Sequence, residues 1–289
     1  MIDLWPNHNP STPPKPARVR VRYRVLLTLL VGLGLCSAVA SEASSIREHR
    51  EFDRLLRAYV HDLPGGQASV VDYAGFARER DRLRGYLQRL SAVPSTDFAA
   101  WPWADRQAFL INAYNAATIE TVLGRYPDLD SIKDLGGLLQ SPWQQPVLDL
   151  LGKTRSLDDI EHVLMRGSDD YRDPRIHFAV NCASIGCPAL RNEAYTGAKL
   201  QAQLEDQTRR FLADRSRNRY DAVAQSLLLS PIFDWYRADF ERLSDGLDHF
   251  LLRYADILGL DAPARSAASV AKLDLRFGDY DWRLNRSEP

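Results

Sequence analysis

The sequence predicts an α+β fold in which a single, mostly helical domain contains a small β-sheet. Apolar residues recur at helical spacing through most of the chain, whereas period-two alternation is confined to short segments. Residues 47–286 contain no internal repeat and no linker of the kind that separates domains. A chain of 289 residues with 45% hydrophobic residues is long enough to form one large domain.

The composition excludes several classes of protein. An aromatic content of 10% is too high for a wholly disordered chain, and 16 glycines in 289 residues are too few for collagen. The 37 basic residues are balanced by 38 acidic ones, which gives a formal charge of −1. This balance argues against a nucleic-acid-binding protein, because such proteins bind phosphates with a surplus of positive charge.

Residues 1–40 are predicted to be a signal peptide. A basic run from Lys15 to Arg24 precedes an apolar segment from Val25 to Cys36, and Ala38-Val39-Ala40 is a small-x-small cleavage pattern. The apolar segment is shorter than the ~20 residues of a transmembrane helix. The long basic lead leaves a second alternative open, in which the segment stays uncleaved as a membrane anchor. We therefore expect residues 41–286 to form one periplasmic or secreted domain, attached to the membrane only if the signal is retained.

Helical spacing predicts the elements in the first half of this domain. Helices are predicted over Phe52–Val60, Phe76–Leu90 and Asp105–Leu123, and Pro94–Pro102 is predicted to be a connector. The third helix is apolar on nearly every side, which is typical of a helix buried in the middle of a domain.

The second half alternates short strands with helices. Leu135–Leu151 is predicted to be a loop, and Ser156 with Asp159 forms a capping box that opens a helix ending at Arg166. Residues Ile176–Val180 alternate in period two, which predicts a strand. The remaining predicted elements are helices around Leu200–Phe211, Ile232–Phe240 and Phe250–Leu258, and strands over Leu227–Leu229 and Leu273–Phe277.

Two asparagines interrupt the apolar central helix. Asn112 and Asn115 are three residues apart and therefore share a face of the helix. A buried amide without partners costs ~1–3 kcal/mol, so each side chain is expected to hold something specific. Two alternatives remain: the amides hold the backbone of a neighbouring loop, or they contact a substrate directly.

The capped helix contains a carboxylate at the edge of its apolar face. Glu161 lies beside the stripe that contains Leu157 and Ile160, whereas His162 points away from it. A carboxylate in this position needs a partner, which is an arginine, a histidine or a metal. A structural ion pair of Glu161 with Arg166 or Arg175 competes with a role in a site. His162 is expected to be a surface or hydrogen-bonding residue.

The predicted strand brings three polar groups to one edge. His177 and Asn181 are expected on the same face, and Cys182 begins the loop that follows. In an extended strand His177 and Cys182 lie ~16 Å apart, so a hydrogen-bonded pair requires the chain to fold back. Gly186 permits such a reversal.

Cys182 and Cys187 are the two cysteines that remain after removal of the signal peptide, and three alternatives exist for them. They form a disulfide in an oxidising compartment, or they bind zinc together with His177 and Glu161 or His162. In the third alternative one of them is a nucleophile. Cys187-Pro188 favours this role, because proline at the first helical position would place Cys187 at an N-cap, where a helix dipole stabilises a thiolate.

Six stretches of the sequence match a known family: Ala108–Asn115, Leu157–His162, Asp173–Ala179, Asn181–Pro188, Trp235–Phe240 and Tyr280–Trp282. Through these stretches the chain resembles the domain of unknown function 547 family, as a bacterial exported member. The stretches span most of residues 70–285, so the resemblance implies the same fold and the same location for a site. Relatives often carry a lysine between the cysteines, whereas this chain has Ala-Ser-Ile-Gly.

Two functions are predicted. In the first, an exported thiol-dependent hydrolase or acyl transferase acts on a peptide-like or cell-envelope substrate, with Cys187 or else Cys182 as nucleophile and His177 as base. Asn112, Asn115 or Asn181 orients the base or binds the oxyanion, and Glu161 supports it. In the second, a non-catalytic envelope binding or assembly protein contains a Cys182–Cys187 disulfide. Neither function requires a cofactor, a resident metal or nucleic acid.

Overall fold

A long buried helix organises the fold. The computed structural model describes residues 46–137, 141–168 and 171–287, so the predicted signal peptide lies outside the described residues. The central helix α5 spans Trp103–Leu123 and thus begins two residues before its predicted start at Asp105, and every residue from Gln107 to Ile119 is buried. The described residues belong to one compact unit, and the predicted α+β fold is confirmed.

Helices contribute most of the secondary structure. They are α1 (Arg50–Tyr59), α2 (Tyr73–Arg78), α3 (Arg80–Ser91), α4 (Ser95–Ala100), α5 (Trp103–Leu123), α6 (Leu200–Ala213), α7 (Ile232–Trp235), α8 (Arg237–Leu243), α9 (Leu247–Arg253), α10 (Ala255–Leu258) and α11 (Ala267–Val270). A π-helix spans Asp159–Met165, and 3-10 helices span Ile132–Leu135, Pro142–Gln144, Pro174–Phe178 and Ala262–Ala264. The helices predicted over Phe76–Leu90, Ile232–Phe240 and Phe250–Leu258 are thus each divided in two, and the predicted connector contains α4.

The strands form three small sheets. They are β1 (Val60–Asp62), β2 (Ser69–Val71), β3 (Pro146–Leu150), β4 (Lys153–Ser156), β5 (Arg219–Asp221), β6 (Ser226–Leu229) and β7 (Asp274–Phe277). The pairs β1–β2 and β3–β4 are antiparallel, and β6 pairs with β5 antiparallel and with β7 parallel. Strands β6 and β7 were predicted. Strand β3 lies in the segment Leu135–Leu151, which was predicted to be a loop, and β4 follows that segment and was not predicted.

The prediction of a strand over Ile176–Val180 is wrong. This segment lies in the 3-10 helix Pro174–Phe178 and the turn after it. Proline fixes the backbone angle of the first helical residue, and Asp173 caps the helix by accepting a hydrogen bond from the Arg175 amide. Ile176, His177 and Phe178 are all buried, so the segment has no polar face. The period-two pattern therefore reflects contacts on every side of a short helix.

The apolar core consists of two clusters. The first surrounds α5 and includes α1, α3 and the start of α6. The second contains the end of α6, β6 and helices α7 to α10, with Phe178 stacked on Phe211.

Residues 278–287, here called the C-terminal strap, contact both clusters. Leu284 belongs to the first cluster, whereas Tyr280 packs against the second. The Asn285 amide donates a hydrogen bond to the Ala183 carbonyl at 3.0 Å, and the Val71 amide donates to the Asn285 carbonyl at 2.9 Å. These bonds place the strap beside the loop between the two cysteines.

Candidate functional site

A cavity of about 180 Å³ lies where the two apolar clusters meet. The capped π-helix, the cysteine loop, α7 and the C-terminal strap contribute its walls. Its aromatic residues are Tyr114, Trp143, Trp235, Tyr236, Tyr280 and Trp282. Of the predicted site residues, the following line this cavity: Glu161, His162, His177, Cys182 and Cys187.

His177 is held by a buried carboxylate. Its Nε2 lies 2.9 Å from Asp239 Oδ2, and that oxygen also accepts a hydrogen bond from Arg166 Nε at 2.6 Å. Although burial opposes it, the hydrogen bonds from His177 and Arg166 hold the pKa of Asp239 well below its usual range. Because an ionised carboxylate accepts hydrogen bonds, His177 carries its proton on Nε2. The Tyr171 hydroxyl lies 3.2 Å from both groups and completes this cluster.

The second ring nitrogen of His177 has a different environment. Nδ1 is buried and accepts no hydrogen bond from the described residues. Burial lowers the pKa of His177 and outweighs the opposite effects of Asp239 and Glu161. The imidazole is therefore neutral near pH 7, with a lone pair on Nδ1, and this nitrogen lies 4.0 Å from Glu161 Oε1. The ring is fixed in this orientation by stacking on Tyr236 at 3.8 Å.

Glu161 is buried beside the cavity, as its place on the helix predicted. It is 5% exposed, and its Oε1 accepts a hydrogen bond from the Tyr236 hydroxyl at 2.7 Å. Of the two alternatives for Glu161, the ion pair with Arg166 or Arg175 is not the one that the structure shows. Arg166 binds Asp239 instead, and Arg175 binds Asp173 and Glu205.

His162 lies at the exposed edge of the site. Its side chain is 41% exposed, and its Nδ1 lies 2.7 Å from Arg166 Nη1. This agrees with the prediction that His162 is a hydrogen-bonding surface residue. The capping box that begins this helix is also confirmed, because the Asp159 amide donates to Ser156 Oγ and the Ser156 amide donates to Asp159 Oδ2, both at 3.0 Å.

Cys182 and Cys187 form a disulfide. The bond leaves neither a thiolate for zinc nor a free nucleophile in this state. Tyr280 is adjacent, with its hydroxyl 3.2 Å from each sulfur atom. The N-cap predicted for Cys187 is wrong, because no helix begins at Pro188 and α6 starts at Leu200.

The three asparagines hold backbone segments in place. Asn112 exchanges hydrogen bonds with the backbone of Tyr195, its Nδ2 donating to the carbonyl at 2.7 Å and its Oδ1 accepting from the amide at 3.0 Å. Asn115 donates to the Ala179 carbonyl at 3.0 Å and accepts from the Asn181 amide at 2.9 Å. The loop-holding alternative is therefore the one that the structure favours for both residues.

Asn181 closes the cysteine loop. Its Nδ2 donates to the Pro188 carbonyl at 2.8 Å, and its Oδ1 accepts from the Ala183 amide at 2.9 Å. None of the three asparagines lines the cavity. Their amide groups already have partners, so an oxyanion role would require them to break these bonds.

Sequence reasoning missed the partners of His177. Asp239 is 62 residues from His177 in the chain, and Tyr171 is six residues from it. One signal in the sequence could have identified Asp239: it lies next to the apolar residue Phe240 in a helix with a buried face. The same kind of signal, a carboxylate beside an apolar face, identified Glu161. In the part of the chain that the structure describes, no three His, Cys, Asp or Glu side chains come together as metal ligands.

A family model matches the middle part of this chain. A family model described as "Protein of unknown function, DUF547" matches residues 98–212. The match contains α5, Glu161, His177 and both cysteines, whereas the predicted resemblance of Trp235–Phe240 and Tyr280–Trp282 lies outside it. No curated protein and no solved structure matches the chain significantly. Within the described ranges, no helix has both the length and the apolar character needed to cross a bilayer.

Proposed function

We propose that this chain, a member of the DUF547 family, is an exported protein that binds a small organic ligand in the aromatic cavity beside His177. The observation that carries the proposal is the buried Nδ1 of His177, an acceptor without a hydrogen bond from the described residues. Leaving such an acceptor unpaired costs ~1–3 kcal/mol, and a ligand N–H or O–H group recovers this cost.

The cavity walls support binding of a small molecule. Aromatic side chains cover apolar ligand surface, and a few polar groups fix its orientation, which is the usual composition of ligand sites. The volume of about 180 Å³ is below the ~300–1,000 Å³ of sites for drug-sized molecules. The ligand is therefore a small molecule or one side chain of a peptide-like partner.

Two observations support export. In residues 1–40 a basic run, an apolar segment and a small-x-small pattern follow one another as in a signal peptide. If that segment were retained, it would attach the domain to a membrane. A disulfide persists in oxidising compartments such as the periplasm and is rare in the cytosol. The disulfide then serves as a fixed wall of the cavity.

Nuclear magnetic resonance of ¹⁵N-labelled tryptophan tests ligand binding. We expect small aromatic amines and alcohols, added as probes, to shift the indole signals of Trp143, Trp235 and Trp282. Trp101 packs against Phe98 and Phe109 in the first cluster and is the internal control. The variant His177→Leu should lose binding, whereas His249→Gln, on an exposed side chain, should retain it. Probes that shift Trp101 alone, or that bind His177→Leu unchanged, would contradict the proposal.

A second candidate function is the thiol-dependent hydrolase or acyl transferase. It is favoured by one observation, that both sulfurs line the same cavity as His177. A dithiol reductant must first transfer two electrons and two protons, so that the chain gains two thiols and the reductant forms its own disulfide. Cys187 Sγ then bonds to the substrate carbonyl carbon, its proton passes to His177 and on to the leaving group, and water releases the acyl group.

Thiol labelling tests the second candidate. The reduced protein should react with iodoacetamide at Cys187 or Cys182, and this reaction should slow in His177→Leu if the imidazole serves as base. A reduced protein whose two thiols react at the rate of a free cysteine peptide, with no effect of His177→Leu, would exclude an activated nucleophile.

A further inference from the structure

We propose that the ligand of this cavity carries an ammonium group, which binds between the Glu161 carboxylate and His177 Nδ1. This inference rests on the proposed function and specifies the chemical class of its ligand, a primary or secondary amine. Three features of the cavity carry it: the charge of Glu161, the spacing of two acceptor atoms and the aromatic walls.

Glu161 lacks a cation. Its side chain is 7% exposed, and among the described residues neither a lysine nor an arginine comes within 4.0 Å of its carboxylate. Arg166, which lies on the next turn, binds Asp239. A buried carboxylate that has one phenol as its hydrogen-bond donor is costly, because removing a charge from water needs compensation by an opposite charge. A cationic ligand supplies that charge.

The spacing of the acceptors selects the donor group. Glu161 Oε1 and His177 Nδ1 are 4.0 Å apart, which is too far for a direct hydrogen bond. A nitrogen atom ~2.8 Å from each would have the two acceptors roughly 90° apart, close to the angle between two N–H bonds of an ammonium group. A carbonyl or carboxylate offers no donor here, and an alcohol has one O–H bond for two acceptors.

The remaining walls match an organic cation. The charged residues that line the cavity are Asp158 and Glu161, and within the described chain neither lysine nor arginine lines it. Trp143, Trp235 and Tyr280 supply aromatic surface, which attracts cations through the negative charge of ring faces. One of the cavity aromatics already contacts a cation of the protein, because Lys133 Nζ, which does not line the cavity, lies 4.1 Å from the centre of the Trp282 ring.

Matched ligands test the inference by calorimetry on the oxidised protein. Benzylamine, which is protonated at pH 7, should bind at least about tenfold more tightly than benzyl alcohol, as expected for one charge-assisted hydrogen bond. Benzyltrimethylammonium keeps the charge but has no N–H donor, so it should also bind at least about tenfold more weakly than benzylamine. Glu161→Gln should abolish the preference for benzylamine, whereas Glu241→Gln, at an exposed carboxylate on α8, should preserve it.

Each contrary result has a distinct meaning. Equal binding of benzylamine and benzyl alcohol would overturn the ammonium inference and leave the ligand site at His177 intact. Equal binding of benzyltrimethylammonium and benzylamine would overturn the bridging position. Failure of benzylamine to bind wild-type protein would also overturn the inference. The proposed function fails separately, if no probe of any charge shifts the indole signals of the cavity tryptophans.

Discussion

At the scale of single residues, His177 is defined by what surrounds each of its nitrogen atoms. Asp239 accepts from Nε2 at 2.9 Å and is itself paired with Arg166. The carboxylate thus keeps the proton on Nε2 and leaves Nδ1 as an acceptor at the cavity. In the proposed function Asp239 is a positioning residue, because it acts on the ligand through the imidazole.

Replacement of this carboxylate tests its role. Asp239→Asn leaves the Arg166 charge partly buried and unpaired, so we expect the free energy of unfolding to fall by about 3 kcal/mol in urea titrations. The imidazole ¹⁵N spectrum should also lose its preference for a proton on Nε2, which a purely structural role would not require. Asp234→Asn, at an exposed residue on α7, is the control. An unchanged tautomer in Asp239→Asn would contradict this role.

His49 is expected to make the free energy of unfolding depend on pH. It is 1% exposed, and burial lowers its pKa to about 3. A histidine with a depressed pKa contributes its full stability above its unfolded pKa of ~6.5, and this contribution is lost as the pH falls toward the folded value. Between pH 6.5 and 4.5 one such group accounts for about 2 kcal/mol.

Urea unfolding at pH 6.5 and pH 4.5 measures this contribution of His49 to stability. Wild-type protein should lose about 2 kcal/mol more than His49→Gln on going from pH 6.5 to 4.5, because glutamine does not titrate. The other titratable groups are the same in both proteins, so their contributions cancel in the comparison. The same loss in both proteins would show that His49 does not titrate in this range.

At the scale of elements, hydrogen bonds from α5 hold the segments that form the site. Asn115 binds the Ala179 carbonyl and the Asn181 amide, one on each side of Val180, which lines the cavity. The central helix therefore positions the chain between His177 and Cys182. This explains why polar side chains occur in a helix that is otherwise apolar.

Truncation of this amide has a predictable cost. Asn115→Ala leaves a buried carbonyl and a buried N–H without partners, so we expect the free energy of unfolding to decrease by about 3 kcal/mol. Thr121→Ala is the control, because its hydroxyl bonds to the Ala117 carbonyl of its own helix and the change should cost less than ~1 kcal/mol. Equal losses in the two variants would contradict a loop-holding role for Asn115.

Elements differ in how well the sequence predicted them. Helix α5 and the capping box at Ser156 were predicted correctly, because each depends on local spacing and on neighbours within a few residues. The segment around His177 was predicted as a strand, because period-two alternation does not distinguish a strand from a short helix buried on all sides. Glu161 was recognised as a buried carboxylate, but its partner Tyr236 is 75 residues away, and no local pattern specifies such a contact.

At the scale of the whole molecule, the C-terminal strap connects the two apolar clusters and supplies part of the cavity wall. Tyr280 and Trp282 line the cavity, and Asn285 follows them in the sequence of the strap. The Tyr73 hydroxyl donates to Asn285 Oδ1 at 2.7 Å, and Asn285 Nδ2 donates to Asn181 Oδ1 at 3.2 Å. The buried side chain of Asn285 thus links the start of α2, the strap and the disulfide loop.

Loss of that link should affect both stability and binding. Asn285 is 3% exposed, so Asn285→Ala leaves the buried Tyr73 hydroxyl without its acceptor, and we expect the free energy of unfolding to fall by about 2 kcal/mol. Arg286→Ala removes an exposed ion pair with Asp130 and should change stability by less than ~0.5 kcal/mol. Because the strap carries Tyr280 and Trp282, benzylamine should also bind Asn285→Ala more weakly than Arg286→Ala. If Asn285→Ala were destabilised but bound the probe as tightly as Arg286→Ala, the cavity wall would be held independently of this link, by the Ser131 hydroxyl that donates to the Trp282 carbonyl at 2.7 Å.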